Sequence, residues 1–121
     1  MKTKNRKIQR KMSLNAPIHK KKKLVNVALS KDLRVQLKRR SLGIRKGDQV
    51  QIIKGKFKGT QGTVTDVNLK KMKIYVDNAN IKKKNGSQAQ VPVAVAKLRI
   101  IKLITADKSR QKLVENAGKK V

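Results

Sequence analysis

Lys54, Lys56 and Lys58 alternate with Gly55, Phe57 and Gly59 in a nine-residue stretch that closes on Gly62. A basic, glycine-rich stretch of this kind suits contact with phosphate. Glycines at 55, 59 and 62 permit positive φ and close backbone approach, which a tight turn between two strands requires. Backbone N–H groups and the three ammonium groups can then face one anion together. Phe57 either stacks on a base or sugar, or packs over the mouth of a small barrel. The bland alternative for the whole stretch is a hairpin shaped by glycine with a solvated lysine face.

Other reactive side chains are scarce. His19 is the only histidine, there is no cysteine, and six acids are dispersed along the chain. A metal site or a catalytic histidine needs clustered partners that this sequence does not supply. Asp48 and Asp66 bracket the glycine-rich stretch, but a glycosidase- or nuclease-like pair is out of place among so many cations. Asp48 is better read as an acceptor of backbone N–H bonds in the turn before a strand. No cofactor is implied. The absence of cysteine excludes a disulfide framework and fits an intracellular protein.

Thirty-four Lys and Arg against six Asp and Glu give 121 residues a net charge of +28. Such a density repels itself, so the working state includes a polyanion. Residues 1–44 carry 15 basic groups and one acid, residues 45–104 carry 14 and three, and residues 105–121 carry five and two. Lys20, Lys21, Lys22 and Lys23 form a run of four, read as a phosphate-binding block rather than a merely solvated one. Phe57 and Tyr75 are the only aromatics, which argues against reading single-stranded bases on an aromatic platform. Tyr75 either touches RNA or covers exposed lysine stems. No apolar stretch approaches the ~18–20 residues needed to cross a bilayer, and no signal-peptide pattern follows the basic start.

The elements that position these residues follow from the pattern. Residues 1–23 hold ten Lys or Arg, no acid and no persistent period, so they are expected to be disordered when free and to fold against a partner. Ser30 and Asp32 open a short helix over about 31–39. From Ile44 to Leu103 apolar and polar residues alternate around Val50, Ile52, Ile74, Val76, Val91, Val93, Leu98 and Ile100. Val64 and Val67 break the alternation and predict a bulge. Asn85-Gly86 predicts a type I′ hairpin. Asp107 is expected to cap a last helix through about Asn116, stopped by Gly118, lying on the surface or against a partner. The expected fold is mainly β: a small SH3-like barrel over residues 44–104, a basic extension over 1–29, a short helix and linker over 30–43, and a helical tail over 105–121.

Gly47, Asp48, Val50, Gly55, Lys58, Gly59, Gly62 and Val64 stand where the KOW motif has its signature residues. The flanks Asn15-Ala16-Pro17-Ile18-His19, Leu29-Ser30-Lys31-Asp32-Leu33-Arg34 and Ile44-Arg45-Lys46-Gly47-Asp48 are more specific. With Ile74-Tyr75-Val76 and Asn85-Gly86, they resemble the archaeal and eukaryotic branch of one family across about residues 15–104. That family is the large-subunit ribosomal protein numbered twenty-four in bacteria and twenty-six in eukaryotes. The resemblance implies binding to the 5′ region of large-subunit rRNA, early entry into assembly, and a place near the nascent-chain exit tunnel of the cytoplasmic ribosome. By position it implies rRNA contacts at Lys54, Lys56, Phe57 and Lys58, at Asn15, His19 and Lys20 to Lys23, and at Arg45 and Lys46. Neighbouring ribosomal proteins and exit-tunnel docking factors are the further partners implied; neither membrane insertion nor a homo-oligomer is. Ala94-Val95-Ala96 departs from the family's His-Pro-Ser piece, which puts any contact of that piece in doubt. The compact stretch from Lys58 to Val64 leans archaeal, lacking the extra residue of eukaryotic members.

Three function classes follow in order: a structural rRNA-binding component of the ribosome, a KOW-type transcription elongation factor of the NusG class, and a nucleic-acid enzyme. The second needs a separate polymerase-binding domain for which 121 residues leave no space, and the third needs an acidic metal cluster.

Overall fold

The computed structural model describes residues 3–104 and 106–119. In chain order these form α1 (Arg6–Leu14), α2 (Ile18–Leu24), β1 (Asn26–Leu29), α3 (Lys31–Leu37), β2 (Ser41–Gly43), β3 (Gln49–Ile52), β4 (Gln61–Asn68), β5 (Lys73–Lys82), β6 (Gln88–Ala94), β7 (Leu98–Lys102) and α4 (Lys108–Lys119). A 3₁₀ turn, Val95–Lys97, leads into β7.

The seven strands run in the order β2-β1-β7-β3-β4-β5-β6. Residues 61–63 of β4 pair with β3, and residues 64–68 pair with β5. The handover coincides with a register shift between Val64 and Asp66, the bulge that the broken alternation predicted. The strand thereby turns one half of the sheet over the other. Val50, Ile52, Leu98 and Ile100 from one half share a single buried core with Val64, Ile74, Val76 and Val93 from the other. The result is mainly β and barrel-like.

Gly62 lies where the halves meet. It is opposite Val50, and a Cβ there would collide with the Asp77 carboxylate and a Val76 methyl. Its bareness lets β5 fold close, so that Thr63 N–H donates to Asp77 Oδ1 at 2.9 Å and Asn78 Nδ2 donates to the Gln61 carbonyl at 2.5 Å.

Several expectations are corrected. Residues 1–23 contain two helices. Asn5 caps α1 by accepting from Lys7 N–H at 3.0 Å, and Ile8 and Met12 share one face at i, i+4 spacing. No residue of α1 is buried, so its basic side chains remain in solvent. The sheet also begins earlier than Ile44. Val25, Val27 and Leu29 are core residues, and β1 pairs antiparallel with β2 and parallel with β7. A four-residue strand shows too little alternation to stand out from a basic flank. Between β5 and β6, Gly86 takes φ +88°, but Asn85 is not in the left-handed region. With Gly86 N–H on the Lys83 carbonyl and Lys83 N–H on the Ser87 carbonyl, the turn is type I closed by a glycine bulge, not type I′. Asn85 instead accepts from the Ser87 N–H and hydroxyl.

The helix expected at 31–39 is α3, capped by Ser30 and ended by Lys38 at φ 50°. The tail helix runs past Gly118 to Lys119 and is anchored rather than superficial, because Arg110 and Ala117 are buried. Adding a methyl at Gly62 therefore tests the closest approach in the barrel. Gly62→Ala should lower stability by about 1–3 kcal/mol, read as an earlier midpoint in urea unfolding with the same slope.

Candidate nucleic-acid interface

Between β3 and β4 the chain folds into a loop held by its own backbone. Gly59 N–H donates to the Ile52 carbonyl at 2.7 Å, Ile52 N–H to Thr60 at 2.9 Å, Lys58 N–H to Gly55 at 3.2 Å and Thr60 N–H to Phe57 at 3.0 Å. Gly55 at φ +100° and Gly59 at +85° supply the two left-handed positions. The expected nest of free N–H groups is thus corrected in part, since three of them are used inside the loop. Its outward chemistry comes from Lys54, Lys56 and Lys58, all exposed. Phe57 is half-buried and packs on the core. With Lys54 and Lys56 it borders a cleft of about 190 Å³ that Ile81, Val91, Pro92 and Val93 also line.

The turn before β3 is built differently. Asp48 is fully buried, and its carboxylate accepts from Arg45 N–H at 2.9 Å and Ile104 N–H at 3.1 Å. Arg110 completes it from α4, with Nη1 at 2.5 Å from Oδ1 and Nη2 at 2.8 Å from Oδ2. The same Nη2 donates to the Gly43 carbonyl at 2.6 Å. The expected backbone role of Asp48 is present, and the arginine is an addition that the sequence did not disclose. Nearby, Arg45 pairs with Asp107 and Lys46 Nζ lies 2.8 Å from Asp66 Oδ1. Lys46 holds the Asp66 carboxyl below its ordinary value of 3.8, helped by the Val67 N–H and opposed by desolvation.

These are the three ion pairs among the described residues, and a cation or anion of residues 45–48 takes part in each. The turn carrying Arg45 and Lys46 is therefore largely self-neutralised, whereas Lys54, Lys56 and Lys58 have no carboxylate partner among the described residues. Three of the four cations lining the groove of about 340 Å³, Arg45, Lys46 and Arg110, are in these pairs, and Lys22 is not.

The N-terminal candidates are spread along the two helices. Asn15 ends α1 and is exposed, as are His19, Lys20, Lys22 and Lys23 on α2. Lys21 differs. It is buried, with Nζ donating to the Lys70 carbonyl at 3.3 Å, so the lysine run is not one continuous surface. Sequence reasoning passed over two further sets. Lys97 abuts the β3–β4 loop, its carbonyl accepting from Ile53 N–H at 2.8 Å. Lys82, Lys83 and Lys84 stand exposed at the β5–β6 tip, where the consecutive lysines before Asn85-Gly86 were the available signal.

Among the described residues, no helix is long and apolar enough to cross a membrane. Two outcomes follow from the local geometry. The Asp66 carboxyl should titrate by NMR below pH 3.8 and move up toward it in Lys46→Ala. A carboxyl with a lowered folded value stabilises above its unfolded value and loses that contribution as pH falls through the folded one, so the Lys46 effect should vanish in strong acid. Arg110→Met, which strands a buried carboxylate, should cost about 3–5 kcal/mol in denaturant unfolding, with Arg110→Lys recovering only part.

The matching family model is described as ribosomal proteins L26 of eukaryotes and L24P of archaea, and it matches residues 3–117. A protein of Pyrobaculum islandicum called large ribosomal subunit protein uL24 is 40% identical over 111 residues, covering 92% of this chain and 90% of its own length. One of the same name from Korarchaeum cryptofilum is 38% identical over 113 residues, covering 93% and 86%. None of these matches supports the transcription-factor alternative. The self-held basic loop, the alternating strands and the flanking signatures thus sit within one matched span, and the chain belongs to the family of eukaryotic L26 and archaeal L24P ribosomal proteins.

Proposed function

We propose that this chain is a structural, non-enzymatic component of the large subunit of the cytoplasmic ribosome, and that its SH3-like KOW barrel docks on large-subunit rRNA. The observation that carries the rRNA contact is the uneven pairing of charge. The β3–β4 loop presents Lys54, Lys56 and Lys58 without a carboxylate partner among the described residues, on a backbone fixed by four hydrogen bonds. A rigid loop with unpaired ammonium groups loses little conformational freedom on meeting phosphates and releases their condensed counterions. Lys20, Lys22, Lys23, His19 and Asn15 extend the surface along α2 and the end of α1, while Arg45 and Lys46 contribute after exchanging their own carboxylates for phosphate.

The barrel docks as a preformed body and α1, exposed along its length, lies against RNA. A nine-residue helix with nothing buried has little stability of its own, so its contribution arises in the complex. The family resemblance supports the finer placement: the 5′ region of the rRNA, early entry into assembly, and neighbours that include ribosomal proteins and factors docking at the tunnel exit.

Sedimentation of cell lysate in high salt tests the reading. Stoichiometric retention on the large subunit is expected; release, with recovery beside RNA polymerase, would overturn it. On purified large-subunit rRNA, changing Lys54, Lys56 and Lys58 together to Gln should reduce the slope of log K against log salt by about 2–3. Arg45→Gln with Lys46→Gln should change it less. Removing residues 1–16, which carry six Lys or Arg and leave the buried Lys21 in place, should flatten the slope while the thermal unfolding midpoint of the barrel holds.

A further inference from the structure

The cleft beside the basic loop has the features of a site for one nucleotide. Phe57, Ile81, Val91, Pro92 and Val93 line it together with the exposed Lys54, Lys56 and Lys97. At about 190 Å³ it is smaller than the ~300–1,000 Å³ of pockets that enclose a whole drug-sized ligand. It suits one flat ring system rather than a length of strand. Phe57 is the only phenylalanine in the chain, and it stays half-exposed although the apolar core lies directly beneath.

The lysines carry the second argument. Lys54, Lys56 and Lys97 have no carboxylate partner among the described residues, in contrast to Arg45, Lys46 and Arg110 around the larger groove. Lys97 belongs to this site by geometry. Its carbonyl accepts from Ile53 N–H, and its Nζ lies 3.8 Å from where a Cβ on Gly55 would be. An apolar slot framed by unpaired cations complements a base attached to phosphates better than it complements an apolar protein side chain.

We propose that this cleft takes a single unstacked nucleotide of the rRNA, its base against the Phe57 ring and the Pro92 face and its flanking phosphates on Lys54, Lys56 and Lys97. The proposal rests on the rRNA-binding reading above and deepens it, adding Lys97 and Pro92 to the contact set. The loop supplies preorganisation, since its hydrogen bonds fix the ring before RNA arrives. A base gains more here than a phosphate alone, because the π-face accepts stacking without regard to base identity.

The natural chain has no tryptophan, so Phe57→Trp places a single indole reporter in the full-length protein. Its emission should be quenched on binding a large-subunit rRNA transcript and left unchanged on binding inorganic polyphosphate, a polyanion without bases. In parallel, Phe57→Leu keeps the apolar packing and removes the ring face. It should hold the thermal unfolding midpoint within a few degrees and weaken rRNA binding roughly 5- to 150-fold. Binding of rRNA without indole quenching, equal quenching by polyphosphate, or unchanged affinity in Phe57→Leu would each overturn the nucleotide site and leave the rRNA reading standing. Failure of the wild-type chain to bind rRNA would overturn the reading itself.

Discussion

Asp48 is the fixed point of this molecule. A carboxylate with no solvent contact is costly to bury unless its lone pairs are filled, and here two backbone N–H groups and a two-pronged guanidinium fill them. The partners come from the turn before β3, from Ile104 just past β7 and from α4, the last two 56 and 62 residues away in sequence. Arg110 then reaches the Gly43 carbonyl, which brings the end of β2 into the same knot. Planar guanidinium geometry is what allows one side chain to serve a carboxylate and a carbonyl together.

From that knot the division of charge follows. The acids at 48, 66 and 107 gather around the turn and satisfy Arg110, Lys46 and Arg45. A chain of net charge +28 thus uses half of its six acids to hold one corner of the barrel together. Lys54, Lys56 and Lys58 have no carboxylate partner among the described residues. The β3–β4 loop that carries them has a backbone bonded to itself, which fixes where those ammonium groups stand. A surface of this kind meets a polyanion with little reorganisation, and its affinity is governed by salt.

The β4 bulge, the capped helix at Ser30 and the glycine-rich loop were legible because each depends on neighbours in sequence: a broken alternation, an N-cap, a run of residues that tolerate left-handed φ. The hairpin at Asn85-Gly86 was legible in place but not in type, since the backbone at Asn85 depends on how Lys83 and Ser87 pair across the strands. β1 escaped notice because four residues give two alternations at most, and its partner β7 is some seventy residues away. In α1 the stretch from Ile8 to the end at Leu14 offers one apolar pair at i, i+4 spacing, too short for a period to persist.

Local patterns and composition determined by themselves that the chain is mainly β and strongly cationic, because alternation, turn chemistry and net charge are properties of adjacent residues and of their sum. Which cations face outward was decided only by the tertiary structure. Lys21 and Arg110 read in the sequence like any other basic residues, and folding turned one onto the Lys70 carbonyl and the other onto Asp48. Lys97, remote in sequence from the loop, was carried beside Gly55 by the pairing of β7 with β3. Burial and pairing depend on the approach of distant segments, and no spacing within one segment encodes that approach.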